Sequence, residues 1–278
     1  MPTIQKLKKK LKVIRSTQKF TKAMKTAATI KYAKLSEFYA NYEKYEEQCS
    51  RMYQSYREDI NAIFPVTNPD APTLYVLLSS NKGICSGLNV ELFSFFENIY
   101  RKEKTKPVII CCGKKGKEHL DNLKIPYKNL YVFADIPSYE DSDELFDTIK
   151  KLMEDGVVSA VKIVYPGYSN LMIQKPVCSD LFTYGKGVTV AEEPLYVPDK
   201  QTVMLNTAEK IIVSILHKKI LETALGVQAA TLTTMRSAYD TACEYSDQLE
   251  MQINRMRQSQ VTADVIEVSS EYSVEEEE

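Results

Sequence analysis

The 278-residue chain contains no glycine before Gly83 and, after Pro2, no proline before Pro65. Toward the other end there is no proline after Pro198, and Gly226 is the one glycine after Gly187. Ordinary usage of about 7% glycine would place about six in the first 82 residues. Glycine and proline are the residues that weaken, kink or end helices. Their absence therefore predicts one long helix at each end, from about Thr3 to Ile60 and from about Asn206 to Ser269. At 1.5 Å per residue, about 60 residues span roughly 90 Å, more than a compact domain of this mass needs, so a shaft is expected.

The C-terminal segment carries a heptad seam. Leu225, Gln228, Leu232, Met235, Tyr239, Ala242, Ser246, Leu249, Ile253, Met256, Gln260 and Ala263 follow one another at alternating steps of three and four. The N-terminal segment has a less regular stripe of Leu7, Leu11, Ile14, Thr21, Ala28, Leu35 and Tyr42, interrupted by Gln18, Lys25, Tyr32 and Tyr39. Between the two, apolar runs at 73–80, 107–112, 130–135 and 159–166 alternate with helical segments near 88–104, 114–123 and 139–155. That alternation implies a mainly parallel sheet. "LMIQKPVCSDLF", after the turn "GYSN", adds a hairpin strand. The expected fold class is α/β: a long antiparallel two-helix coiled coil formed by the terminal helices, with a βαβ domain inserted. The expected domains are 1–60, 61–203 and 204–278, the last with an acidic tail, and "FPVTNPDAP" and "EEPLYVPDK" are the joints.

Charge is unevenly spread, although the net charge is only -1. Eleven Lys or Arg precede the first acid, Glu37, and the chain closes on "EEEE". No apolar run approaches the roughly 20 residues that span a bilayer, and the first residues lack the apolar core of a secretory signal. Any membrane association is therefore expected to be peripheral. The six Cys form no CxxC pair, which reads as reduced thiols in an intracellular or organellar compartment. With only His119 and His217, zinc sites and His-based catalysis have little support.

The motifs of the central region read mainly as structure. "SSNKGICSGLN" (79–89) follows a strand, but it matches neither GxGxxG nor GxxxxGK[ST]. A tight strand-to-helix turn is expected there, and also at "CCGKKGKEHL". "PSYEDSDELFD", with Asp135 just before it, lacks the alternating ligands and central glycine of a calcium loop. Ser138 and Asp141 instead mark the acidic start of a helix. No catalytic constellation and no cofactor site stand out. The basic N-terminal stretch is open to three readings: a solvated helix face, a nucleic-acid surface, or a surface for an acidic protein partner. Phe20 is the only aromatic residue before Tyr32, which argues against nucleic acid. The complete lack of acids favours the acidic partner over simple solvation.

Three stretches, "IRSTQKFTKAMKTAATIKYAK", "SSNKGICSGLN" and "INRMRQSQVTADVIEV", resemble the signatures of the γ subunit of F-type ATP synthases. In the second, Asn81, Lys82, Ile84 and Ser86 differ from the family's pattern. The resemblance implies a rotor rather than an enzyme: a coiled coil entering a hexamer of α and β subunits, and a Rossmann-like domain against the ε-like (mitochondrial δ) subunit and the c-ring. No nucleic acid is implied, and contact with the membrane would run through the c-ring. The basic face would then meet acidic lobes of β, with Lys22, Met24 and Lys25 among its contacts. Arg257, Gln258 and Thr262 fall where the family meets a catch loop of β, and Lys82 is a candidate lower contact. Where the family carries Glu and Arg upstream of Met235, this chain has Val227 and Thr231, and the run of Glu at the end departs from the family's small apolar tail. Length, and the lack of a chloroplast-type cysteine insert, favour the matrix side of the mitochondrial inner membrane, with the cytoplasmic side of a bacterial plasma membrane as the alternative. The competing function is a coiled-coil adaptor whose α/β domain binds a ligand.

Overall fold

The computed structural model describes residues 3–182, 196, 197 and 199–275, without the side chains of 267, 268 and 270–275. Most of "EEPLYVPDK" and the last three Glu lie outside the described residues. The chain forms two compact units, Met1–Ala27 with Thr234–Glu278, and Ala28–Thr233.

Helix α1 runs over Ile4–Ser55 and contributes to both units. It stops short of the expected Ile60: after a break at Tyr56, the short helix α2 covers Arg57–Ile63. Ile60 is fully buried, and Phe64 sets its ring 5.6 Å from those of Phe146 and Phe182. Burying these two apolar residues requires the chain to turn, and packing here overrides helix propensity.

The elements that follow are β1 (Thr73–Leu78), α3 (Leu88–Lys102), β2 (Val108–Cys112), α4 (Lys114–Asn122), β3 (Asn129–Tyr131), α5 (Tyr139–Glu154), β4 (Ala160–Asn170) and β5 (Ile173–Asp180). Helix α6 covers Lys200–Glu275. Its start precedes, and its end passes, the expected 206–269. The sheet order is β3-β2-β1-β4-β5, parallel throughout except for the β4–β5 hairpin. Val76, in the central strand, pairs with Ile110 on one side and Ile163 on the other.

Strand alternation sends side chains to two covered faces. Leu74, Val76 and Ile110 join Leu145, Phe146 and Ile149 of α5, Ile211, Ile212 and Leu216 of α6, and Cys49 and Tyr53 of α1. Tyr75, Leu77 and Ile109 meet Leu92 and Phe96 of α3 and Leu120 of α4 on the other face. The terminal helices therefore lie against the sheet as well as pairing with each other. At the start of α5, Ser138 and Asp141 form a capping box: the Ser138 amide donates to the Asp141 carboxylate at 2.8 Å and the Asp141 amide to the Ser138 hydroxyl at 3.3 Å.

Candidate functional site

In the unit of Met1–Ala27 and Thr234–Glu278, α1 and α6 run antiparallel. The Arg15 guanidinium lies 2.8 Å from Glu250, the Gln18 amide donates to the Ala242 carbonyl at 3.1 Å, and the Lys25 ammonium sits 4.7 Å from the centre of the Tyr239 ring. Numbers rise along one helix as they fall along the other. The seam buries Leu7, Thr21, Met235, Ala242, Ser246 and Leu249. Within it, Thr21 satisfies its hydroxyl on the Thr17 carbonyl at 2.9 Å.

A cationic stripe runs along α1 beside the seam, close enough for its Arg15 to reach Glu250 of α6. Lys8, Lys12, Arg15, Lys19 and Lys22, at steps of 4, 3, 4 and 3, are all exposed. The first four, with Leu11 and Ser16, border an open groove of about 530 Å³. Lys22 is exposed, whereas Met24 and Lys25 are half-buried, and Lys25 is directed over Tyr239. On α6, Ile253 and Met256 are half-buried, while Arg257, Gln258 and Thr262 are exposed. The Thr262 hydroxyl donates back to the Gln258 carbonyl at 2.9 Å, leaving both guanidinium and carboxamide heads outside that bond. Beyond them Val261, Val265 and Ile266 are also exposed.

Lys82 belongs to the other unit, Ala28–Thr233, on the turn after β1. The turn is tied down from several sides. The Asn81 side chain donates to the Phe133 carbonyl at 2.8 Å and accepts from the Lys114 amide at 3.1 Å. The Ser80 hydroxyl donates to the Lys82 carbonyl at 2.6 Å, and the Asn89 amide reaches the Ser80 hydroxyl at 2.7 Å and the Cys85 sulfur at 3.2 Å. Ser86 sits at φ 52°, a left-handed conformation that glycine adopts at less cost. The Lys82 ammonium stands 3.1 Å from Asp135, whose same oxygen accepts from Lys31 of α1. This engagement of Phe133 and Asp135 accompanies the early end of β3, at Tyr131 rather than 135. Lys31 and Asp135 are separated by 104 positions, so no local spacing could have paired them.

The ligand-binding alternative meets two obstacles in this unit. In an open α/β sheet, a nucleotide would use free amides in the turns at the carboxyl ends of the strands. Here the Gly116 amide donates to the Ser79 hydroxyl at 2.8 Å, the Lys115 amide to the Ser80 carbonyl at 3.0 Å, and the Ser79 amide to the Cys112 carbonyl at 2.8 Å. Helix α6 also covers the turn: Val227 and Ala230 pack on Cys85 and Leu88. Val227, which departs from the signature, is thus an apolar packing residue. Thr231 spends its hydroxyl on the Val227 carbonyl at 2.7 Å.

A family model described as ATP synthase matches residues 3–273. The chain belongs to the ATP synthase gamma-chain family. Among curated relatives, the ATP synthase gamma chain of Clostridium botulinum is 27% identical over 267 residues, 94% of each chain. That of Rubrobacter xylanophilus is 24% identical over 282 residues, 97% of each. A chain of the Euglena gracilis mitochondrial ATP synthase, in a structure described as OSCP/F1/c-ring in rotational state 3, superposes with a TM-score of 0.69 at 16% identity. It covers 98% of this chain and 94% of its own. At that identity the likeness speaks for the fold, an α/β sheet between long N- and C-terminal helices.

Proposed function

We propose that this gamma-family chain is the central-stalk rotor of an F-type ATP synthase, carrying torque between a proton-driven membrane ring and a catalytic hexamer while catalysing nothing itself. The observation that carries this reading is the division of labour across α1. One face is closed in a seam with α6, and a stripe beside it presents five exposed cations at helical spacing, of which Arg15 is paired with Glu250 of α6, inside a family match over residues 3–273. A rotor has to push on several similar partners without adhering to one. Exposed charges suit that task, since each pair contributes roughly 1 kcal/mol or less and exchanges quickly.

In this reading, Lys22, Met24 and Lys25 meet acidic lobes of β, Arg257, Gln258 and Thr262 meet a loop of an open β, and Lys82 makes a lower contact. The half-burial of Met24 and Lys25 makes Lys22 the leading charge of the first group. Residues 1–60 and 204–278 act as the rotor helices, and 61–203 as the domain that meets the ε-like (mitochondrial δ) subunit and the c-ring. The chain works peripherally on the matrix side of the mitochondrial inner membrane, with the cytoplasmic face of a bacterial membrane as the other setting. The mitochondrial origin of the solved neighbour supports the first, and the bacterial origin of the curated relatives supports the second.

The test is capture of a tagged chain under native conditions. A complex containing α, β and ring subunits, with ATPase activity, is expected. A chain recovered alone at its own 31.7 kDa would overturn the assignment.

A further inference from the structure

Lys82 reaches solvent, with its side chain 62% exposed, yet its ammonium is already engaged by its own chain. It stands 3.1 Å and 3.5 Å from the two oxygens of Asp135. Asp135 is 30% exposed and also accepts from Lys31, so two ammonium groups share one carboxylate. The surplus is one positive charge, carried by the more exposed of the two lysines. The backbone beneath Lys82 is fixed, because its carbonyl accepts from the Ser80 hydroxyl at 2.6 Å and from the Cys85 thiol at 3.6 Å. The freedom that remains lies in the Lys82 side chain.

We propose that Asp135 is a positioning residue for Lys82: it holds the ammonium at the lip of the turn and yields it to a carboxylate of a neighbouring subunit, while Lys31 keeps Asp135 neutralised. This rests on the reading of Lys82 as a rotor contact. Two physical reasons support it. A lysine ordered before its partner arrives loses less side-chain freedom on contact. Exchange of one exposed carboxylate for another is close to balanced when the one left behind keeps a second cation. A contact that must form and release once per turn needs that balance. The arrangement also explains why an acid just ahead of the α5 capping box takes no part in the cap.

The experiment is steady-state ATP hydrolysis by the assembled complex at low and high salt, with subunit content checked on each sample. Lys82→Met is expected to slow hydrolysis by about two- to fivefold. Asp135→Asn should slow it by a similar factor at low salt, and Asp135→Glu should restore most of the rate. The double variant Lys82→Met with Asp135→Asn should be no slower than Lys82→Met alone, because Asp135 acts through Lys82. A purely structural Asp135 would instead multiply its effect on top of Lys82→Met. That result, or a wild-type rate in Asp135→Asn when Lys82→Met is slow, overturns the proposal while leaving Lys82 as a contact. A wild-type rate in Lys82→Met removes the contact itself, and the proposal with it.

Discussion

At the scale of single residues, the two histidines have separate fates. His217 is buried at 1% exposure, its Nδ1 2.7 Å from the Ser142 hydroxyl, with the Tyr42 and Tyr139 rings edge-on at 4.9 and 5.6 Å. Burial pushes its pKa down to about 4, against a smaller upward pull from Asp141 and Glu140. A base with a lowered folded pKa binds its proton more readily when the chain is unfolded. Its contribution is therefore fully present above about pH 6.5 and is lost as pH falls toward 4, by up to about 1.4 kcal/mol per pH unit. His217→Gln should flatten the fall of melting temperature over that window relative to the wild-type chain. Equal slopes for the two proteins would show that His217 is not neutral in the fold. His119, by contrast, stacks on Phe93 at 4.3 Å and faces Glu97. The sequence offered two histidines without metal spacing, and their different surroundings come from chain segments far apart in number.

At the scale of elements, α1 and α6 are held together by different chemistry in the two units. Within Ala28–Thr233, Leu35 closes on Leu221 and Leu225, and Glu46, only 6% exposed, accepts from the Lys218 ammonium at 2.7 Å. The Ser50 hydroxyl supplies a second donor to that carboxylate. Removing one partner of a buried pair leaves an uncompensated charge, so Lys218→Met should lower stability by about 3 kcal/mol. Glu46→Leu combined with Lys218→Met should recover most of that loss in a denaturant melt, and failure to recover would mean that Lys218 contributes mainly by its packing. Within the other unit, Leu249 lies in the seam at 2% exposure. Leu249→Asp places a carboxylate there and should cost several kcal/mol, read as an earlier loss of helical circular dichroism on heating. An unchanged melt would put Leu249 outside the seam. The heptad spacing marked Leu249, but the Glu46–Lys218 pair was hidden because its members are 172 positions apart.

At the scale of the whole molecule, the rotor reading turns on contacts with other subunits. Arg257 and Gln258 are exposed while Ile253 and Met256 are half-buried, so the proposed contact residues point away from the seam side chains of α6. Replacing both Arg257 and Gln258 by Ala should leave the chain folded and assembled. Steady-state ATP hydrolysis by the complex should then fall, since hydrogen bonds from a charged group contribute roughly 1.5 to 3 kcal/mol and about 1.4 kcal/mol is a tenfold change in rate. A normal rate in a fully assembled sample would remove these two residues from the working surface.

Two long terminal helices, a heptad seam, an alternating strand-and-helix centre and a cationic face without acids are all written in local pattern. They depend on glycine and proline placement and on periods of 2 and 3.6 residues, which neighbours along the chain suffice to define. The residues Arg257, Gln258 and Thr262 were singled out differently, by the resemblance of one short stretch to a family signature and by no period of their own. What the tertiary structure alone decided are the matters of distance across the chain. Tyr56 breaks a helix so that Ile60 and Phe64 can be buried. The terminal helices cover the sheet as well as each other, Val227 and Ala230 cap the turn after β1, and Asp135 joins Lys31 to Lys82. Each of these brings together groups tens to hundreds of positions apart. Their pairing is fixed by the packing of a shared core and the neutralisation of buried or half-buried charge, and no local period encodes either.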